Sequence, residues 1–240
     1  MNNFKQLQKM IDESDNIVFF GGAGVSTESG IKDFRSVDGL YNEKYDYPPE
    51  EILSHSFFLS HTKEFYKFYK DKLNSLDIKP NKTHEFLKKL EDKGKLKAII
   101  TQNIDGLHER AGSKNVLLLH GTTYKNYCMN CHKEFSAEYV FNSKEIPLCT
   151  ECNGIIKPDV VLYEEPLNDE VVRKTIKAID NADLLIIGGT SLAVYPAASF
   201  INYFHGKYLV ILNKDSTPYD SRADLVIHEK LGEVFSKLTC

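Results

Sequence analysis

The chain has 240 residues, 42% hydrophobic and 27% charged, the balance of a globular protein rather than a disordered one. Its 30 basic and 34 acidic side chains leave a formal charge of −4, with no basic excess to hold a nucleic acid. No apolar stretch reaches the ~20 residues of a membrane-spanning helix, and the opening Met1-Asn2-Asn3-Phe4-Lys5-Gln6 lacks the apolar core of a secretion signal. A cytoplasmic protein with no nucleic-acid or membrane partner is therefore expected. In that compartment the five cysteines, Cys128, Cys131, Cys149, Cys152 and Cys240, are expected to be reduced or metal-bound.

Phe4, Leu7, Met10 and Ile11 share one helical face. Asn16–Phe20 reads as a strand apolar on both faces, as in a buried parallel sheet, and runs into the loop Gly21–Gly30. Helical patterns follow around Glu50–Leu53 and Thr62–Leu76, then from Thr83 to Lys93 with Gly94 as terminator. Lys97–Ile100 and Val116–Leu119 are strands, the second leading to His120-Gly121. Residues 124–156 break the rhythm, and Val160–Tyr163 looks extended. Asn168 is placed to cap a helix over Asp169–Asp180. Leu184–Ile187 is a strand ending in Gly188-Gly189-Thr190-Ser191. Pro196 suits a first helical turn in a helix that Gly206 stops, and Tyr208–Leu212 is a strand ending at Asn213.

Strands separated by helices imply crossover connections and an α/β fold with a parallel, Rossmann-like sheet. In open parallel sheets the ligand crevice lies at the carboxyl ends of the strands. That rule gathers 21–30, 101–106, 120–121, 188–191 and 213 on one edge. A strand followed by a glycine loop is also how backbone N–H groups cradle a dinucleotide phosphate. Here Gly22 and Gly24 supply the first two glycines of the usual fingerprint, but Thr27 stands where the third belongs. No acidic residue ends a second strand ~20 residues on, which disfavours a hydride-transfer enzyme. A tight turn without ligand accounts for the loop equally well.

Cys128-Met129-Asn130-Cys131 and Cys149-Thr150-Glu151-Cys152 are separated by seventeen residues, a spacing that fits a four-thiolate zinc ribbon. With all four positions filled by thiolate no place remains for water, so Zn2+ here is structural. A reduced redox pair is the alternative, and His132 is a competing ligand beside Cys131.

Taken in order, several blocks resemble the sirtuin family from about Asn16 to Leu238. They are Gly22-Ala23-Gly24-Val25-Ser26 through Ser29-Gly30-Ile31-Lys32-Asp33-Phe34-Arg35, then Thr101-Gln102-Asn103-Ile104-Asp105-Gly106-Leu107-His108 and His120-Gly121. The two cysteine pairs, Lys157-Pro158-Asp159-Val160-Val161, Gly189-Thr190-Ser191-Leu192 and Pro196-Ala197-Ala198 continue the series. Lys32 departs from the family's usual proline, which would stiffen the loop. The resemblance implies a Rossmann-like NAD-binding domain over 1–34, 80–123 and 157–240. It also implies a small domain made of a helical insertion, 35–79, and a zinc module, 124–156. NAD and an acyl-lysine protein or peptide would enter between them, and the acyl group would pass from lysine to ADP-ribose with release of nicotinamide.

By the same resemblance, His120 is the general base for a ribose hydroxyl, a task suited to an imidazole neutral near pH 7. A lone histidine at a strand end would otherwise read as a core or surface residue. Asp105 and Ile104 would hold the nicotinamide carboxamide, Asn103 would order the ribose or a water, and Gln102 would bind ribose hydroxyls. Without the family, 103–106 reads as a turn. Arg35 would reach the phosphates and Phe34 would cover the reactive carbon, where an ion pair and a core aromatic are the plain alternatives. Ala23 and Thr27 would line the phosphate loop, and Thr190, Ser191 and Asn213 would meet the adenosine half. Val160 and Val161 would line the acyl-lysine tunnel. A substrate strand would add between edges near Val160–Leu162 and Leu192–Val194.

Family members favouring succinyl or malonyl lysine share a Tyr-x-x-Arg pair. Tyr69 and Lys72 give Tyr-x-x-Lys here, and lysine lacks the bidentate fork that suits a carboxylate, so acetyl-lysine is the expected substrate. Three rivals stand beside this: a nicotinamide oxidoreductase, protein ADP-ribosyl transfer from the same pocket, and a zinc-ribbon nucleic-acid adaptor. The adaptor would need a basic ribbon, whereas Lys125, Lys133 and Lys144 are offset by Glu134, Glu138, Glu145 and Glu151.

Overall fold

The computed structural model describes residues 3–34, 39–42 and 45–239. Arg35 and Cys240 lie outside the described residues. In chain order, α1 (Asn3–Asp12) and β1 (Ile17–Gly21) precede the short helices α2 (Pro49–Ile52) and α3 (His55–Ser60) and the longer α4 (Thr62–Lys72). Next come α5 (Lys82–Asp92), β2 (Leu96–Thr101), α6 (Leu107–Arg110), β3 (Val116–Leu118) and β4 (Gly121–Cys128). They are followed by β5 (Glu134–Ser136), α7 (Ala137–Phe141), β6 (Ile156–Val160), α8 (Asp169–Asp180), β7 (Leu184–Gly188), β8 (Tyr208–Leu212), β9 (Leu225–Ile227) and α9 (Leu231–Ser236).

The main sheet is parallel in the order β3-β2-β1-β7-β8-β9. Every residue of β1 and β7 is buried, which marks them as central strands covered on both faces. Alternation along the pleat divides the core. Ile17, Phe19, Leu184, Ile186, Val210 and Leu212 face the cluster under α1, α5 and α9. Val18, Phe20, Leu185, Ile187, Leu209 and Ile211 face the cluster that includes Ile179 of α8 and Phe200 and Ile201 of a 3-10 segment, Ala197–Tyr203. Asn168 caps α8 by accepting from the N–H groups of Glu170 and Val171.

A second, antiparallel sheet, β5-β4-β6, packs with α2, α3, α4 and α7 around an aromatic cluster of Phe57, Phe58, Phe65, Tyr66, Phe68, Tyr69 and Phe141. The boundaries expected at 123/124 and 156/157 fall inside β4 and β6, so both strands cross the seam between the two parts of the chain. Three other expectations need correction. The pattern over Thr62–Leu76 stops being helix at Lys72, Pro196 precedes a 3-10 segment rather than an α-helix, and the extended run near Val160 is the end of a strand that begins at Ile156.

The sheet order reverses between β1 and β7, and their loops meet there backbone to backbone. Gly24 N donates to Gly189 O at 2.8 Å, and a Cβ on Gly189, whose φ is +59°, would stand 2.5 Å from Val25 N. Gly189→Ala should cost about 1–3 kcal/mol from overpacking and left-handed strain. Gly94→Ala shares only the strain, since Gly94 has φ +71° and nothing within 4 Å of the added Cβ. Urea denaturation of both variants should show the larger fall in midpoint for Gly189→Ala.

Candidate active site

The glycine loop leaves β1, forms 3-10 turns over Ala23–Val25 and Thr27–Ser29, and closes on Gly30 at φ +93°. Gly22 and Gly24 are accounted for by packing, because a Cβ on either would press on Thr190 or Gly189 within 2.8 Å. Ala23 is half-buried, and exposed Thr27 donates its hydroxyl to Gly24 O at 3.0 Å.

Ser26, which the sequence reading passed over, is the hub of the site. It is 1% exposed, donates to Asp105 Oδ2 at 2.6 Å and accepts from Asn103 Nδ2 at 3.1 Å. The available signal was a small hydroxyl placed directly after the glycine loop. The other oxygen of Asp105 accepts from Leu107 N at 2.9 Å and so starts α6. Burial pushes the Asp105 carboxyl above its ordinary value, against the pull of those two donors. Ser75, from the insertion, donates to Asp105 O at 3.1 Å, and Arg110 reaches Ser75 O at 2.9 Å.

Gln102 joins two edges of the site. Its amide donates to Thr190 Oγ1 at 3.2 Å, and its carbonyl lies 3.0 Å from His120 Nδ1. A carbonyl only accepts, so Nδ1 carries the proton and Nε2 of the neutral ring keeps its lone pair. Burial lowers the His120 pKa, outweighing the opposing bond to Gln102, so the neutral ring prevails at pH 7. His120 O accepts from Val161 N at 2.9 Å, and Gly121, at φ +73°, pairs with Val160, which sets both valines beside the histidine.

Phe34 and Ile104 are half-buried and pack on the edge of the aromatic cluster that contains Val160 and Leu162. Thr190 is buried and Ser191 exposed. Asn213 stands next along the edge, since Gly189 N bonds to Leu212 O, but its own side chain donates to Asp215 O at 2.7 Å. The structure thus forms two hydrogen-bonded sets, Ser26 with Asn103 and Asp105, and Gln102 with His120 and Thr190, joined through the chain at residues 102 and 103, with Asn213 on the flank.

Two further features bear on the substrate. Along Val160–Leu162 the N–H groups of Val161, Leu162 and Tyr163 already bond to His120 O, Glu165 Oε2 and Leu53 O, so a peptide strand added there would pair through backbone carbonyls. Those donors cannot hold a peptide strand without losing a partner. Tyr69 is wholly buried, its ring stacked between Phe65 and Phe141 at 5.6 and 5.3 Å, while Lys72 lies 3.1 Å from Asp71 and over the Tyr45 ring. The Tyr-x-x-Lys pair is therefore not a joint feature of one pocket.

In the ribbon, the four sulfurs of Cys128, Cys131, Cys149 and Cys152 lie within 4.8 Å of one another, with pairs at 3.4 and 3.6 Å. Tetrahedral zinc with bonds of about 2.3 Å needs sulfur–sulfur edges of about 3.8 Å, so the set fits. Two matching knuckles support it: Asn130 N and Glu151 N each point at a sulfur at 3.4 Å, and His132 and Asn153 both turn left-handed. His132 is outside the ligand group.

A doubly wound sheet with its polar site at the switch point, joined to a four-thiolate ribbon, defines a nucleotide-binding α/β protein with a structural metal module. The Sir2 family model matches residues 22–196, and the chain belongs to that family. It is 58% identical to the NAD-dependent protein deacetylase of Clostridium perfringens, over 99% of this chain and 98% of that one. A Sir2 chain solved with deacetylated p53 peptide and 3′-O-acetyl ADP-ribose superposes with TM-score 0.90 at 40% identity, covering 98% of this chain and 96% of the other. A Sir2 complex with p53 peptide and NAD+ gives 0.86 at 40% identity over the same shares.

Zinc removal should act on the small sheet first. Stripping with a strong chelator, or Cys149→Ser, should lower the melting temperature and release about one zinc per chain. Metal analysis and circular dichroism check this, and the main sheet should keep most of its signal.

Proposed function

We propose that this chain removes acetyl groups from protein lysine side chains, consuming NAD and one water and yielding nicotinamide, free lysine and O-acyl-ADP-ribose. The observation that carries this is His120, a neutral imidazole held by the Gln102 carbonyl, with no partner for Nε2 among the described residues, beside the segment on which Ser26 holds Asp105 and Asn103. When bound, NAD supplies the sugar carbon that accepts the acyl oxygen as nicotinamide leaves. Asp105, with Ile104 beside it, receives the carboxamide N–H, while Ser26 keeps the carboxylate aimed. Asn103 and Gln102 would orient the ribose, and His120 Nε2 would take the proton of a ribose hydroxyl as that oxygen bonds to the acyl carbon. The C–N bond then breaks, lysine leaves as the free amine and one water completes the ester product. Ala23, Thr27 and Arg35 serve the phosphates, Thr190, Ser191 and Asn213 the adenosine half, and Phe34 keeps water from the reacting carbon.

Val160, Val161 and Leu162 form the acyl-lysine wall, with the aromatic cluster behind them. Lys157, the buried lysine next to this wall, is neutralised by Glu165 at 3.2 Å, so an acidic acyl group gains no spare charge from it. Acetyl-lysine is accordingly preferred over succinyl-lysine. The four reduced thiolates of the ribbon suit a cytoplasmic setting.

Mass spectrometry of an acetylated peptide with NAD tests the whole reading. Wild type should remove acetyl and release nicotinamide in equal amounts, and His120→Ala should lose roughly 100-fold or more. Equal turnover by both proteins would strip His120 of its role, and ADP-ribose attached to protein without deacetylation would favour the transferase rival. A matched succinyl peptide should react more slowly, and the reverse order would overturn the acyl assignment. Because burial lowers the His120 pKa, its base form persists as pH falls. The acid limb of kcat/KM should therefore inflect below 6.5, the ordinary histidine value.

A further inference from the structure

Beneath the glycine loop and the Asp105 loop, two histidines meet in the core. His84 of α5 is 0% exposed and His108 of α6 is 1% exposed, with ring centroids 4.7 Å apart. Asn81 N donates to His84 Nδ1 at 3.2 Å, which completes a capping box at the start of α5. Nδ1 also lies 3.0 Å from Asn81 Oδ1, which only accepts, so a bare Nδ1 takes the backbone N–H and a protonated Nδ1 donates to the amide oxygen; in both tautomers the nitrogen turned away from Asn81 is Nε2. That Nε2 has no partner among the described residues, nor has either nitrogen of His108. Burial holds His84 down at about 4 and His108 well below the ordinary histidine value. Orphaned donors of this kind oppose stability, so packing alone is a poor account of two histidines here.

Their neighbours give a better one. Asn81 Oδ1 caps Thr83 N at 2.9 Å, while its Nδ2 donates to Val25 O at 2.8 Å and Ser29 Oγ at 3.0 Å, both in the glycine loop. His108 belongs to the helix that Asp105 starts, and Asp105 returns to the glycine loop through Ser26. The contacts close a ring: glycine loop, Asn81, His84, His108, Asp105, Ser26 and the glycine loop again. We infer that Asn81, backed by the His84–His108 pair, is a positioning residue that sets the glycine loop against the Asp105 loop and so tunes cofactor affinity. Nothing in this ring need touch the acetyl-lysine.

The inference rests on the proposed NAD chemistry, and the test separates the two. Asn81→Asp keeps the capping oxygen and the shape but removes both N–H donors to the loop. NAD affinity is measured by calorimetry, and KM for NAD and for acetyl-peptide are measured separately. Loss of two neutral hydrogen bonds should raise Kd and KM for NAD roughly 10-fold, with peptide KM, zinc content and melting temperature near wild type. An unchanged NAD constant, or equal rises in both KM values, would overturn the inference. Should Asn81→Asp fail to fold, Asn81→Ser still caps α5 but is too short to reach the loop, and the same outcomes apply. Nitrogen-detected NMR of the wild type reads the pair directly: both rings should resist titration near pH 6.5, and titration of either ring there would equally overturn it. Wild type that binds no NAD would instead sink the function itself.

Discussion

Two neighbouring parallel strands must release their loops at the same edge, and side chains there would force them apart. At β1 and β7 the conflict is removed by glycine on both sides, so that Gly24 and Gly189 touch through their backbones. The sheet grows away from this pair in both directions, toward β3 on one side and β9 on the other. Because the loops can lie flat against each other, Ser26 is carried inward to meet Asp105, 79 residues away, and Thr190 comes within reach of Gln102. A bulkier contact at the switch point would move all of these together. The catalytic edge is thus set by backbone proximity before any ligand is considered.

His120 is placed by a different device. It lies between the end of β3 and the start of β4, so one neighbour belongs to the main sheet and the other to the small one. Leu119 N still bonds to Thr101 O, while Gly121 already pairs with Val160. The far ends of β4 and β6 converge on the cysteine ribbon, where Cys128 ends β4 and Cys152 shortly precedes β6. Eight residues of strand separate Cys128 from His120, about 25 Å at extended spacing. At that distance a metal has no part in acyl chemistry. Its effect is mechanical, through two strands whose near ends carry the histidine and the valine wall.

Much of the fold was legible because it follows local rules. The continuous apolar runs of β1, β7 and β8, the capping Asn168 and the paired cysteines each depend on a few adjacent residues. The candidate residues on the carboxyl edge were legible for the same reason, since parallel strands collect their ends on one side. Ser26 was missed because its importance lies in a partner far along the chain. Short elements such as β5 and β9, three residues each, carry too little pattern to stand out. Helix geometry separates Tyr69 from Lys72, in line with the expectation that they do not act as a carboxylate-binding pair. In α4 Phe65, Tyr66, Phe68 and Tyr69 are all buried, so the apolar stripe is wide and spacing alone does not say which way Tyr69 turns.

Burial shapes each ionisable group of the site, and the local partner decides the outcome. His120 meets a carbonyl that fixes one proton but supplies no counter-charge, so desolvation wins and the ring stays neutral. Asp105 meets two donors, which soften the cost of its charge without cancelling it. Lys157 follows a third course. Its ammonium donates to Val160 O at 3.1 Å and pairs with Glu165, which also accepts from Leu162 N and from His55. Breaking such a buried pair by removing one partner costs about 3–5 kcal/mol. Here that cost falls on the turn from Lys157 to Glu165, which holds Val160 and Val161 against His120. The ion pair is therefore best understood as the clasp of the segment that carries Val160 and Val161, a role that needs its charge to be cancelled rather than displayed.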